Sequence, residues 1–402
     1  MRYAPRRMAT IEYNPYAYES HEDPYPIYRA LRDEAPVYRN EEIGFWALSR
    51  HADVLAGFRD PVRFSNMNGV SLDPTSSHPG ARATMSFLAM DPPQHTRMRA
   101  LVSRGFTPRR VAQLEGRVRE ISISHIERFI ADGRCDFIRD FAGKLPMDVI
   151  SEMLGVPEAD RDRLRTWADL VVHREDGMMD VPPAGMEAAA NIFGYFSQLV
   201  ADRARQSHDD LTGALLAAEI DDDRLTTDDV VAFLFLMIIA GNETTTKLLG
   251  NAVYWLAQNE GERRKVREDP SLIPSWIEET LRYDNSTQAL ARSLTEDVEL
   301  HGQRMRSGDR VVLLVGSGNR DDRVFPDGDR YDINRDTTAM LSFGHGTHFC
   351  LGASLARLEA RVALEEIQAR MPSYEIDIAG LVRIHSVNVR GYAAMPMEFP
   401  RP

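Results

Sequence analysis

The residues Val230-Val-Ala-Phe-Leu-Phe-Leu-Met-Ile-Ile-Ala240 form a run of eleven with no polar side chain. A surface helix does not read this way; a helix apolar on every side belongs at the centre of a large body. The run is too short for a bilayer, which takes about 20 residues to cross. Thr226 and Asp229 form a capping box at its start. Gly241-Asn-Glu-Thr-Thr-Thr246 then follows without a break. Glycine in a helix interior costs about 1 kcal/mol relative to alanine, and a buried carboxylate at Glu243 costs more unless it is satisfied. Either the helix reaches the surface at Asn242, or a central helix opens onto a polar groove.

The rest of the chain supplies the body; over all 402 residues 43% are apolar and 27% charged, an ordinary globular composition. A net charge of −13 makes it a poor nucleic-acid binder. Its two cysteines, Cys135 and Cys350, cannot build a disulfide framework or a cysteine-rich zinc site. The basic start, Met1 to Met8, is not followed by the apolar run of a signal peptide. The expectation is a soluble, cytoplasmic protein with no membrane segment.

The pattern is mostly helical, with scattered short strands. Helices are expected over Pro15–Val37, Pro108–Ala131, Glu187–Arg205, Leu211–Ala218 and Ala353–Met371. Strands are expected at Trp46–Ser49, Val298–Leu300, Arg310–Val315 and Tyr374–Ile378. Asn66–Arg82 is a loop by composition, and Asp176–Gly185 is an apolar loop carrying Met178 and Met179. Methionine adapts to varied partners, so this second loop reads either as a packed surface turn or as a lid over an apolar pocket.

Phe343-Gly-His-Gly-Thr-His-Phe-Cys350-Leu-Gly352 is the most informative segment. Three glycines mark a tight loop, and Cys350 sits just before a helix whose N-terminus favours a thiolate. Three readings stand on these residues. Cys350 is a nucleophile with His348 or His345 as its base, a thiolate ligand to haem iron, or a buried structural cysteine.

The full ten-residue pattern resembles the haem-binding signature of the cytochrome P-450 family and meets every fixed position. The resemblance makes Cys350 the iron ligand, puts Phe343 beside the thiolate and Gly352 in the closing turn, and turns His348 toward a haem propionate. Ala240-Gly-Asn-Glu-Thr244 resembles the family's oxygen-activation motif, which implies that Glu243 and Thr244 are the acid–alcohol pair delivering protons during O–O cleavage. Glu279 and Arg282 match the family's Glu-x-x-Arg core network, for which Arg330 is the expected third member and Arg335 the fallback. His95, Arg99 and Arg292 match positions that bind propionates. The resemblance runs over about residues 12–400 and is closest to the soluble bacterial branch. Asn285-Ser-Thr287 departs from it, lacking the customary proline.

The resemblance therefore implies a mainly α fold, a triangular helical prism with small β-sheets. It forms one haem domain over 13–402 behind a flexible tail, 1–12. The expected cofactor is haem b, iron protoporphyrin IX. The expected reaction is a monooxygenation, hydroxylation or epoxidation, placing one atom of dioxygen in an apolar small molecule. Met85, Met178, Met237, Ala240, Gly241, Ala289, Leu290 and Val387 are the expected pocket lining. No flavin or iron–sulfur domain fits in the chain, so electrons are expected from a separate ferredoxin and ferredoxin reductase. They would dock on a basic patch formed by Arg97, Arg99, Arg104, Arg109, Arg110 and Arg357. A monomer is expected. The alternatives are a peroxygenase driven by hydrogen peroxide and a non-catalytic haem-binding recruitment module.

Overall fold

The protein is seen in a computed structural model, which describes residues 11–206, 208–220 and 223–401, except for the side chains of Arg104, Ile220 and Asp223. Most of the expected N-terminal tail lies outside the described residues. The helices that build the site are α1 (Gln94–Val102), α2 (Leu145–Leu154), α3 (Glu158–Val172), α4 (Pro183–Arg205), α5 (Thr227–Gln258), α6 (Ile273–Tyr283) and α7 (Ala353–Arg370).

The apolar run lies inside α5. Its capping box is closed in both directions: the Thr226 hydroxyl accepts from the Asp229 N–H, and the Asp229 carboxylate accepts from the Thr226 N–H, each at 3.1 Å. Every residue from Val230 to Ile238 is buried. By length and composition α5 could cross a membrane, but its apolar stretch is mostly buried inside the protein. Helices α2, α3, α4, α6 and α7 pack around it, as does the short helix Arg82–Met85. One continuous apolar core joins these helices.

A small sheet sits at one side. Its strands are β1 (Val37–Asn40), β2 (Phe45–Leu48), β3 (Phe64–Ser65), β4 (Ala289–Leu294) and β5 (Arg310–Leu314), in the order β1-β2-β5-β4-β3. β5 runs parallel to β2, with Arg310 opposite Phe45, and antiparallel to β4, with Val311 opposite Arg292. Two separate apolar clusters cover the sheet's faces. The mainly α architecture with small sheets is the one expected.

Several local boundaries differ from the sequence expectation. The leading helix is two helices, Tyr18–Glu22 and Tyr25–Glu34, because Pro24 interrupts the ladder; past Pro36, Val37 opens β1 instead. Pro108–Ala131 divides into helices Pro108–Gln113 and Glu115–Glu127, because the Leu114 N–H tightens onto the Val111 carbonyl at 3.0 Å. Pro183 starts α4 inside the expected apolar loop. Only Glu375–Ile376 of the last expected strand pairs, against Pro396–Glu398.

Candidate active site

The cysteine loop is wound tightly between α6 and α7. The Cys350 N–H donates to the Phe343 carbonyl at 2.9 Å, and Gly346–His348 makes one 3-10 turn. Gly344 and Gly346 both take positive φ, 65° and 71°. A β-carbon at Gly346 would lie 2.8 Å from the Phe58 carbonyl oxygen, so this close approach requires glycine. Burial pushes the Cys350 thiol up. The Gly352 N–H, the Arg99 and Arg357 guanidinium groups and the Ala353 N–H pull the other way without overcoming it. The dipole argument from sequence is therefore outweighed by desolvation in the protein alone; a coordinated metal would ionise the sulfur outright. Phe343 carries the Arg357 guanidinium 4.5 Å from its ring centre.

Beside this sulfur lies a group of histidine and arginine side chains whose enclosed nitrogens have too few acceptors. His95 of α1 and His348 of the loop have ring centres 4.1 Å apart. Neither ring nitrogen of either residue has a hydrogen-bond partner, and Arg99 Nη1 is also unpartnered. Burial, with Arg99 nearby, lowers His95 to about 4. Burial, then His95, Arg292 and Arg99, lowers His348 to about 2. Arg292 of β4 is buried too and is pulled to about 10 by burial and by Arg310. A buried cluster of orphaned donors requires an anion. Two carboxylates next to a thiolate-bound metal meet that requirement, so these residues fit haem and its propionates.

Midway along its length, α5 changes character. In the middle of this buried helix Ile239, Ala240, Gly241 and Thr244 keep accessible surface, while Asn242, Glu243, Thr245 and Thr246 do not. The accessible positions follow one helical stripe, so the groove reading of the motif holds and the helix does not surface at Asn242. The Thr244 hydroxyl donates to the Ala240 carbonyl at 2.8 Å, and the Ser286 hydroxyl donates to the Thr244 carbonyl at 2.7 Å. Ser286 lies in the stretch that lacks the customary proline, and a proline there could not make this bond. Glu243 is buried, and Lys247 Nζ, one turn on, is 3.3 Å from its Oε2. Burial is the largest single influence and would raise Glu243, but Lys247, with smaller contributions from Asp169 and Arg165, holds the carboxyl below its ordinary value.

The Glu279–Arg282 pair is fully buried. Arg282 Nε and Nη2 reach the two carboxylate oxygens at 2.7 Å each, and Nη1 donates to the Asn319 and Gly328 carbonyls. Arg330 is not the third member: its side chain is exposed and pairs with Asp332, and only its carbonyl accepts from Arg282. Arg335 takes the place, with Nε 3.6 Å from Glu279 Oε1 and its other nitrogens on the Pro326, Asp327 and Arg330 carbonyls. The Asp332 N–H bonds Glu279, which turns the neighbouring Arg330 side chain outward.

The expected pocket residues separate. Met237 and Ala240 lie on α5, and the Arg82–Met85 helix packs on it, with Met85 half-buried. A β-carbon at Gly241 would face Ile150 of α2 at 3.7 Å. Ala289 is 2% exposed within the cluster of Tyr13, Tyr28 and Phe45, so it packs behind the sheet; Leu290 is half-buried on the opposite face. Val387 lines a small crevice with Tyr13 and His21. Met178 is half-buried in its loop. The two loops over this side are joined by a buried pair: Arg174 Nη2 and Nε contact the Asp73 carboxylate at 2.7 and 3.2 Å.

The expected docking patch is partly neutralised. Arg357 pairs with Glu278, and Arg97 donates to the Arg224 carbonyl. Arg104 lies outside the described side chains. Arg109 and Arg110 are exposed.

The cytochrome P450 family model matches residues 186–370. The protein of Mycobacterium tuberculosis (strain ATCC 25618 / H37Rv) that carries the name cytochrome P450 123 is 56% identical over 386 residues, 96% of each chain. This chain belongs to the cytochrome P450 family. It is also 39% identical to the vitamin D(3) 25-hydroxylase of Pseudonocardia autotrophica over 94% of each chain. The crystal structure of CYP109E1 from Bacillus megaterium in complex with testosterone superposes with a TM-score of 0.88 at 31% identity, covering 95% of this chain and 99% of that one. The chain is thus a P450 monooxygenase with the P450 fold, and the family's cofactor is a haem iron.

Lys247 and the Asp73–Arg174 pair were not singled out from sequence. Only Lys247 left a usable signal there: opposite charges four residues apart share a helix face, here in a stretch otherwise too apolar for a surface pair.

Proposed function

We propose that this P450 binds haem b through Cys350 and hydroxylates or epoxidises an apolar small molecule, with electrons from a separate ferredoxin and its reductase. The observation that carries the reading is the convergence of the unpartnered His95, His348 and Arg99 nitrogens beside Cys350. Cys350 would hold the iron, His95, Arg99, Arg292 and His348 would hold the propionates, and Phe343 and Gly352 would shape the thiolate's turn. When bound, the haem supplies dioxygen activation. Glu243, buried, and Thr244, on the accessible stripe of α5, would supply the proton path, and Glu279, Arg282 and Arg335 would keep the core around the loop rigid. The substrate class is apolar and of sterol size. It is supported by the vitamin D(3) hydroxylase relative, by the testosterone-bound neighbour, and by Met237 on α5 and Met85 on the short helix packed against it. The working form is a cytoplasmic monomer with residues 13–402 as one haem domain.

The test is a reduced carbon monoxide spectrum with the long-wavelength band of thiolate ligation, followed by turnover with ferredoxin and reductase. Thr244→Ala is expected to consume NAD(P)H but release mostly hydrogen peroxide. Turnover that peroxide alone sustains as well as the reductase does would favour a peroxygenase. Haem binding without any turnover would favour a recruitment module. Charge reversal at Arg109 and Arg110 is expected to slow ferredoxin-driven turnover at low salt and to matter less at high salt.

A further inference from the structure

The segment Asp284-Asn-Ser-Thr-Gln288 joins α6 to β4, and Ser286 lies in the part of it that lacks the family's customary proline. Its residues are buried except for half-buried Thr287. On one side the Arg390 N–H donates to the Ser286 carbonyl and the Gln288 N–H to the Asn388 carbonyl, both at 2.8 Å, and Thr287 pairs with Val389. The front of the segment is fixed as firmly. Asn251 Nδ2 of α5 donates to the Asp284 carbonyl at 2.8 Å. The Asp284 carboxylate accepts from the Tyr25 hydroxyl at 2.6 Å, Trp255 Nε1 at 2.8 Å and Arg390 Nε at 2.8 Å. Ser286 is therefore mounted on a frame that has little freedom left to lose.

From this frame the Ser286 hydroxyl reaches the Thr244 carbonyl at 2.7 Å, two turns before Asn251. Among the described residues it is the one hydrogen bond between the segment and the accessible stretch of α5. The Thr244 carbonyl already accepts within the helix ladder, and the serine takes its second lone pair. Two donors fix the plane of that peptide. The fixing matters because this turn is weak by itself. Gly241 adds backbone freedom, and the Thr244 hydroxyl bonds back to the Ala240 carbonyl at 2.8 Å, a contact that tends to bend helices.

We propose that Ser286 is a positioning residue for the reaction: its hydroxyl braces the Thr244 peptide, and the brace keeps the Thr244 hydroxyl on the Ala240 carbonyl at the edge of the groove. Ser286 touches no reacting atom and acts through Thr244. A proline at 286 would have no hydroxyl for this purpose, so the brace comes from this chain's departure from the family pattern. The inference rests on the reading of Thr244 as the alcohol of the acid–alcohol pair, but its first observable does not.

That observable is local opening of α5. Ser286→Ala removes the hydroxyl and almost no volume. In the holoenzyme it should quicken amide hydrogen exchange over residues 240–250 about fivefold, the worth of one net hydrogen bond. Exchange in α7 should stay as in the wild type. The infrared stretch of the reduced carbon monoxide adduct reads the groove without a substrate. Ser286→Ala should broaden it, and should leave it unaltered in a Thr244→Ala background, because the group it positions is gone. A bond that only held the fold together would act alike in both backgrounds. Under turnover with ferredoxin and reductase, Ser286→Ala should release more hydrogen peroxide per NAD(P)H than the wild type. Unchanged exchange overturns the proposal, as do equal effects on the stretch in both backgrounds and an unchanged peroxide yield. If Thr244→Ala alone alters neither the stretch nor the peroxide yield, the acid–alcohol reading falls and takes the proposal with it; if it alters them and Ser286→Ala does not, the brace alone falls.

Discussion

Glu279→Gln removes one charge from the most enclosed ion pair near the cysteine loop and changes almost no volume. Arg282 is fully buried, and two of its nitrogens lose a carboxylate at 2.7 Å. The Asp332 N–H, 2.8 Å from Glu279 Oε1, loses a charged acceptor, and Arg335 loses its only carboxylate. Removing one partner of a buried pair costs about 3–5 kcal/mol, because the other charge stays desolvated. At roughly 2.1 cal/mol/K per residue, the unfolding entropy of 402 residues is about 0.8 kcal/mol/K, so the melting temperature should fall by about 4–6 °C. The fall should be accompanied by loss of haem retention, since the network ties α6 to the segment leading into the loop. Thermal scans with haem absorbance as a second probe measure both. Arg335→Ala should lower the melting temperature in the same direction, and Arg330→Ala should leave it unchanged, because that side chain is exposed. A Glu279→Gln shift under about 1 °C, or equal effects of Arg330→Ala and Arg335→Ala, would refute the assignment of the network.

Two further outcomes follow from other parts of the site. His95 and His348 sit near 4 and 2 in the folded protein, below their ordinary 6.5, with burial as the leading cause. Below about pH 6.5 the unfolded chain therefore binds protons that the folded chain refuses, and haem-free protein should lose stability as pH falls from about 6.5 toward 4. Propionates would give both rings a counter-charge, so the haem-loaded protein should lose less; equal losses of the urea midpoint between pH 7 and 5 would contradict the propionate assignment. Asp73→Asn breaks the buried contact with Arg174 that joins the two loops. It should lower stability by about 3–5 kcal/mol and raise the association rate of an azole inhibitor at least tenfold in stopped flow; an unchanged rate would show that the pair is not a latch.

Much of the site was legible because it is local. The cysteine loop needs glycine where Gly346 meets Phe58, and a thiol next to a helix start, and both lie within ten consecutive residues. Glu243 and Thr244 stood out because they follow directly, without a helix break, on an apolar run that had to be buried. The third arginine was less legible, since Arg330 and Arg335 stand five apart in irregular chain and nothing periodic tells which one turns inward. The pocket wall was the least legible: Ala289 is apolar and correctly placed on β4, but strand alternation sends it behind the sheet.

The amino-acid order alone determined the glycine-rich cysteine loop, the capping box and the apolar run of the central helix, because each depends on side-chain spacing within a few turns of backbone. Only the tertiary structure decided which distant charges meet. Arg335 comes to Glu279 across 56 residues, and Arg174 comes to Asp73 across 101. Such pairings depend on how whole helices dock around α5, and burial, which no spacing reveals, decides where each proton sits.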